Sequence, residues 1–249
     1  QLLEHLGLEV FAHVVELGGV RVGEDAFEAA GEERAALRGA SDFACLAVES
    51  EEAMRAVVDA AKEEGDTLGG VFEVRALGLP PGLGGYAAST ERLTGRIGGA
   101  LLSIPAIKGV EFGLGFEAAR RPGSAVHDPI RLREGERRAD QWGRFERSAN
   151  AAGGLEGGMT NGEPLVVRAA MKPIPTLRRG MPTVDFETGE AVESTWQRSD
   201  VTSVPAASVV GEAMVVLELV AAVREKFGGD SLGQIEGTWA AYRAELDGV

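Results

Sequence analysis

Residues 197 to 205 read Gln-Arg-Ser-Asp-Val-Thr-Ser-Val-Pro. The run sets a permanent cation, a hydroxyl and a carboxylate side by side, then adds two hydroxyls and a proline directly before the apolar stretch Ala206 to Val223. A guanidinium such as that of Arg198 grips a phosphate or carboxylate with two parallel hydrogen bonds. The first backbone N–H groups of a helix have no internal partner and sit at the positive end of its dipole, so the mouth of the helix after this run suits an anion. The plainer reading is that Thr202 or Ser203 caps the helix, with Pro205 in its first turn and Arg198 and Asp200 as local charge balance.

A second stretch must act with the first. Gly153, Gly154, Gly157 and Gly158 stand in pairs within what would otherwise be a strand. Such pairs are costly in chain entropy unless another surface approaches the backbone closely. Asn161-Gly162 then reads as a two-residue hairpin turn, with Glu163 to Met171 as the returning strand. The strand runs into Lys172-Pro173-Ile174-Pro175-Thr176, a rigid, non-helical ledge carrying a cation and a terminal hydroxyl. Glycine pairs, a cationic ledge and the Arg198-Ser199-Asp200 run together describe a flat, anionic ligand lying against backbone.

Five blocks carry a resemblance to a known family: GDTLGGVFEV at 65–74, SIPAIKGVEFGLGF at 103–116, AGGLEGGMTNGEP at 152–164, MKPIPT at 171–176 and RSDVTSVPAASVVGEAM at 198–214. In this order they resemble chorismate synthase, over essentially all 249 residues. The resemblance implies reduced FMN as cofactor and 1,4-elimination of phosphate from 5-enolpyruvylshikimate-3-phosphate, giving chorismate. It implies that Pro105, Ala106, Gly157, Lys172, Pro173, Ile174, Pro175, Thr176 and Arg198 line the flavin. Arg198 and Asp200 would be the catalytic pair. The Asp200 carboxylate, held ionised beside Arg198, would accept a proton at the flavin N5. It also implies a homotetramer with flavin sites near subunit interfaces, which the Ala206 to Val223 helix would help to build, and NADPH as a possible reductant. Pro105 stands where the family often has Asn or Gln, so only backbone contact is expected there, and Val201 stands where proline is common.

Composition bounds the reading. With 44% hydrophobic residues the chain can bury a sizeable core. Its 25 basic and 39 acidic residues leave a net charge of -14, which argues against non-specific nucleic-acid binding. Anionic ligands must then be held by local Arg and Lys clusters. Cys45 is the sole cysteine, so no internal disulfide forms and a reducing cytoplasm is the natural compartment. No apolar run approaches the roughly 20 residues of a membrane span, and no membrane partner is expected. His5, His13 and His127 lack metal-ligand spacing, so no metal site is expected.

The elements that would position these residues follow in order. Leu2, Leu3 and Leu6 read as a helix already in progress, followed by β-rich Val10 to Val20. A helix without a start signal, beginning at Gln1, indicates a single domain over 1–249 that is truncated at its N-terminus. The resemblance agrees, because the family's N-terminal histidine and arginine motifs have no counterpart here. Residues 21 to 41 read as a short solvated helix and loop, and Phe43 to Val48 as a short strand. Ser50 reads as the cap of an amphipathic helix Glu51 to Glu64, stopped at Gly65. A strand Val71 to Leu79, a helix from about Thr90 to Leu102 and a strand Gly109 to Phe112 follow. This alternation predicts an α+β class, which with the resemblance becomes a layered β-α-β sandwich with antiparallel hairpins and helices packed on the sheets.

The Gly113-to-Ala118 run imitates a dinucleotide fingerprint, but Pro122 and Gly123 break the helix such a site must open. Residues 119–148 read as a mobile loop, either plain solvated connection or a lid near the anionic ligands, with His127-Asp128 as a titrating pair or, more often in such a loop, polar surface. Trp239 and Tyr242 in the last segment read as packing. Two other readings stay open beside the enzyme: a catalytically incomplete FMN-binding fragment, and a structural or assembly domain whose glycine pairs only permit tight packing.

Overall fold

The structure, a computed structural model, describes residues 1–197 and 200–248. In chain order it runs α1 (Leu2–His5), β1 (Glu9–Leu17), β2 (Val20–Arg21), α2 (Ala26–Ala30), α3 (Arg34–Ala40), α4 (Val48–Glu64), β3 (Gly70–Leu77), α5 (Leu93–Leu102) and β4 (Ile107–Phe112). Next come β5 (Ile130–Leu132), β6 (Phe145–Arg147), β7 (Leu155–Glu156), β8 (Met159–Thr160), β9 (Leu165–Met171), β10 (Pro182–Val184), β11 (Ala191–Glu193), α6 (Val204–Phe227) and α7 (Leu232–Gly248).

Period-two patterning builds the centre. Ala12, Val14, Phe72, Val74, Ala76, Val167 and Ala169 alternate along β1, β3 and β9 and are fully buried on one face. These strands form an antiparallel sheet of order β2-β1-β3-β9-β4. Helix α6 lies on the apolar face against β1 and β3, with α5 beside it. Gly211 makes that approach possible: a Cβ there would stand 2.7 Å from Phe72 Cζ, so the ring sits in a notch of the helix. Three two-stranded ribbons, β5-β6, β7-β8 and β10-β11, complete the α+β architecture.

By length and composition α6 is apolar enough to cross a bilayer, which corrects the expectation that no run approaches that length. Two of its carboxylates are tied to neighbouring elements of the fold. Glu212 accepts hydrogen bonds from the Ala12 amide at 2.7 Å and from Arg38 at 2.6 Å, and Glu218 pairs with Arg96 at 2.9 Å. Those bonds identify α6 as the central helix of a layered protein. The first also covers the outer edge of β1, where Arg38 caps the Ala12 carbonyl and the Val14 amide reaches Ala44.

Several expected boundaries move. Phe43 to Val48 is not a strand, because Ala44 adopts φ 55° and turns the chain. The next helix begins at Val48, so Ser50 lies inside it and not at its cap, while Gly65 does end it in the left-handed conformation. The two-residue hairpin turn is Gly157-Gly158, between β7 and β8, and not Asn161-Gly162. Strand β9 then forms its ladders with β3 and β4, touching the glycine stretch only at its start, where the Val166 amide donates to the Gly153 carbonyl at 3.1 Å. Asp128 is buried while His127 is exposed, so the two are not common polar surface. Within 119–148, Trp142 is buried edge-on against Trp239 with ring centroids 4.9 Å apart.

Candidate flavin-facing ledge and its supports

The ledge leaves the sheet where β9 ends. Lys172, Pro173 and Pro175 are exposed, and Ile174 and Thr176 are half-buried. The Lys172 amide donates to the Ala106 carbonyl at 3.0 Å, which joins two of the predicted segments. Ala106 itself sits at φ 70°, a left-handed conformation that costs a residue with a Cβ roughly 1–2 kcal/mol. Strain held by the surrounding structure is common where backbone must present a fixed surface. Pro105 beside it is exposed.

The segment Gly65 to Gly70 holds this end together from below. The Thr67 hydroxyl donates to the Ile174 carbonyl at 2.6 Å. The Leu68 amide donates to the Val201 carbonyl at 2.7 Å, bringing Asp200, exposed and one residue earlier, to the same edge. The Gln197 amide reaches Leu177 at 3.4 Å. Arg198 and Ser199, the centre of the predicted anion grip, lie outside the described residues. Ser203 is the N-cap of α6 without a side-chain cap bond, while Thr202 Oγ1 accepts from the Val204 amide at 3.3 Å.

Gly157 stands elsewhere. It is exposed at the tip of the β7-β8 hairpin with open space around its Cα, and the Gly158 carbonyl binds the first residue of α5, Leu93, at 2.8 Å. Ala106 follows the other end of α5, and Lys172 the far end of β9. The seven residues of β9 put about 20 Å between the two ends.

The other glycines face the chain itself. A Cβ on Gly153 would stand 2.8 Å from the Val166 carbonyl and closer still to Gly113, and one on Gly154 would stand 2.8 Å from the Leu165 amide. Asp128 ties this turn down, accepting the Ala151 and Ala152 amides at 2.9 and 3.0 Å.

The opposite face of the sheet carries a row that sequence reasoning missed. His13, Glu73, Arg168 and Glu111 are register partners across β1, β3, β9 and β4. They floor a cleft of about 710 Å³. Glu73 accepts from Arg75 at 2.6 Å and stands 3.3 Å from Arg168. His13 Nε2 lies 3.4 Å away, off hydrogen-bond geometry. Burial pushes the Glu73 carboxyl up, but His13 and the Arg75 guanidinium outweigh it and the net direction is down. Among the described residues no three His, Cys, Asp or Glu side chains converge as a metal site.

Comparisons with known proteins identify the family. A family model described as chorismate synthase matches residues 1–223. The chain belongs to the chorismate synthase family. It is 50% identical over 240 residues to a chorismate synthase of Geobacter sulfurreducens, covering 96% of this chain and 61% of that protein. It is 52% identical over 249 residues to one of Saccharopolyspora erythraea, covering 98% and 59%. A solved structure, titled as the crystal structure of chorismate synthase, superposes with a TM-score of 0.80 at 39% identity, covering 99% of this chain and 66% of that one. The chain thus spans about three fifths of the length of these curated relatives.

For a member of the chorismate synthase family, the residues that sequence reasoning passed over are the supports. Thr67 and Leu68 carry no charge and no catalytic signature, so only their hydrogen bonds mark them. The signal that could have found Thr67 is the block GDTLGG itself, a polar and glycine-rich entry to an otherwise apolar strand.

Proposed function

We propose that this chain contributes the flavin-facing part of a chorismate synthase, a lyase that eliminates phosphate from 5-enolpyruvylshikimate-3-phosphate to give chorismate. The observation that carries the reading is the Lys172-to-Ala106 hydrogen bond, which brings the ledge and the strained turn to one edge with Asp200. The donor set fits reduced FMN: an exposed ammonium at Lys172, rigid backbone from Pro173 to Thr176, and a neighbouring Arg198 and Asp200 supplied by the sequence. Reduced FMN, when bound, lends electron density to the substrate and takes it back, with no net redox change; NADPH is the candidate reductant.

The chain's own residues do the rest. Lys172 and Arg198 attract the anionic groups of cofactor and substrate. The two prolines keep Ile174 from following a flexible ligand, so the surface is organised before binding. Asp200 is the group that would accept a proton at the flavin N5. The exposed apolar face of α6, with Val209, Val210 and Leu217 at 59%, 48% and 63% exposure, supports assembly, with a homotetramer as the proposed form. The 119–148 segment is proposed as a lid, and the reducing cytoplasm as the compartment.

A second reading has its own support: because the chain spans three fifths of its relatives, it could bind flavin without turning substrate over. Anaerobic titration with reduced FMN, with and without 5-enolpyruvylshikimate-3-phosphate, separates the readings while chorismate is followed. Binding with turnover establishes the enzyme. Binding without turnover establishes the incomplete fragment, and no binding sinks the flavin assignment for this chain, leaving a structural or assembly role.

A further inference from the structure

We propose that Thr67 is a positioning residue for the flavin-facing ledge, an inference that rests on the functional reading above. The ledge has a structural weakness. Pro173 and Pro175 have no N–H to give, so the segment cannot secure itself through a regular backbone ladder and its carbonyls need partners from outside. Thr67 supplies one. The residue is only 6% exposed, and its hydroxyl donates to the Ile174 carbonyl, the carbonyl between the two prolines, at 2.6 Å. The hydroxyl is itself held in place, because the Thr67 amide donates to Asp66 Oδ1 at 2.8 Å and the Asp66 carboxylate pairs with Arg179 beyond the ledge.

The next two residues extend the same device. Leu68 gives its amide to Val201, next to Asp200. Gly69 lets the ledge lie directly on the strand, since a Cβ there would meet Pro173 Cδ at 3.0 Å and the Met171 carbonyl closer still. Three consecutive residues at the mouth of β3 therefore fasten the ledge and the polar run before α6 to one rigid edge. Of the three, only Thr67 does so through a side chain, so only there can the link be cut without altering the backbone. Thr67 lies ahead of β3, outside the strands that pack on α6, and its hydroxyl bonds to the ledge and not to the helix. The Ile174 carbonyl would then be half-buried without its partner, and the ledge would sample other conformations before a ligand arrives.

The test uses three variants of this chain: Thr67→Val, which keeps the shape and removes the hydroxyl, Thr67→Ser, which keeps the hydroxyl, and Thr67→Ala as a smaller second deletion. Dissociation constants for reduced FMN are measured anaerobically by flavin fluorescence, and amide hydrogen exchange is followed along the chain. Thr67→Val is expected to weaken binding about tenfold, the scale of one lost buried hydrogen bond. Exchange should quicken at Lys172 and Arg178, whose amides donate to Ala106 and Gly65 on either side of the ledge, while the amides of α6 keep their protection, and Thr67→Ser should restore both readouts. Thr67→Ala gives the same pattern if Thr67→Val does not fold. Parental binding and exchange in both deletion variants overturns the inference alone. A parental chain that fails to bind reduced FMN overturns the functional reading, and this inference with it.

Discussion

The two ends of the central sheet use close backbone approach in opposite ways. At the end where β9 begins, Gly153 and Gly154 are pressed against Gly113, Val166 and Leu165, and the surface that approaches the backbone is the chain itself. At the end where β9 stops, the backbone of Lys172 to Thr176 is held out in the open by Ala106 and Thr67. A glycine pair in a sequence reports only that something comes close. Whether that something is core or ligand depends on which side of the fold the pair faces, and Gly157, in the same run as Gly153, faces open space.

Substitutions that add or remove one methyl group sharpen this contrast. The largest effect is expected for Gly153→Ala, where both the φ of 65° and the contact with Gly113 are violated; a loss on the order of 4 kcal/mol should move the urea midpoint far down or abolish folding. Asp128→Ala comes next. It leaves the Ala151 and Ala152 amides without their shared carboxylate, and about 3 kcal/mol of stability should disappear in the same denaturation measurement.

The third test concerns the sheet between the two ends. Glu73 has a folded-state pKa below its ordinary value of 4.5, so the folded protein binds fewer protons there than the unfolded chain. Its contribution is complete above pH 4.5 and is lost as the pH falls from there through the folded value. Glu73→Gln should flatten the acid limb of the stability profile, and an unchanged limb would remove Glu73 as its source. The smallest effects are at Gly157 and Ala106. Gly157→Ala meets no neighbour and should cost about 1 kcal/mol of left-handed strain. Ala106→Gly relieves similar strain while loosening the unfolded chain, and should leave stability within about 0.5 kcal/mol. A severe loss at Gly157 would mean that both glycine pairs are packing devices and would break the comparison.

Much of the architecture was legible because it rests on local periodicity. The β-rich β1 and β3, the αL stop at Gly65, and the packing role of Trp239 all follow from residues near in sequence. The failures share a different cause. Phe43 to Val48 has strand composition but is bent by Ala44, whose carbonyl is fixed by Val14 from a remote strand. Asn161-Gly162 has the preferred hairpin dipeptide, yet the turn went to Gly157-Gly158 because β9 pairs with strands distant in sequence. Asp128 looked like surface because its partners, two backbone amides more than twenty residues away, have no signature in composition.

By itself the sequence determined the family, the α+β class, the polar run before α6 and the proline-stiffened ledge, since each is written in adjacent residues and their order. Only the tertiary structure decided what supports them. The joining of Lys172 to Ala106, the pin from Thr67 to Ile174, the row from His13 to Glu111 and the separation of Gly157 from the ledge all depend on strand register. Register is set by long-range pairing of apolar faces, and a shift of one residue in a strand would turn its member of the row from His13 to Glu111 to the other side of the sheet.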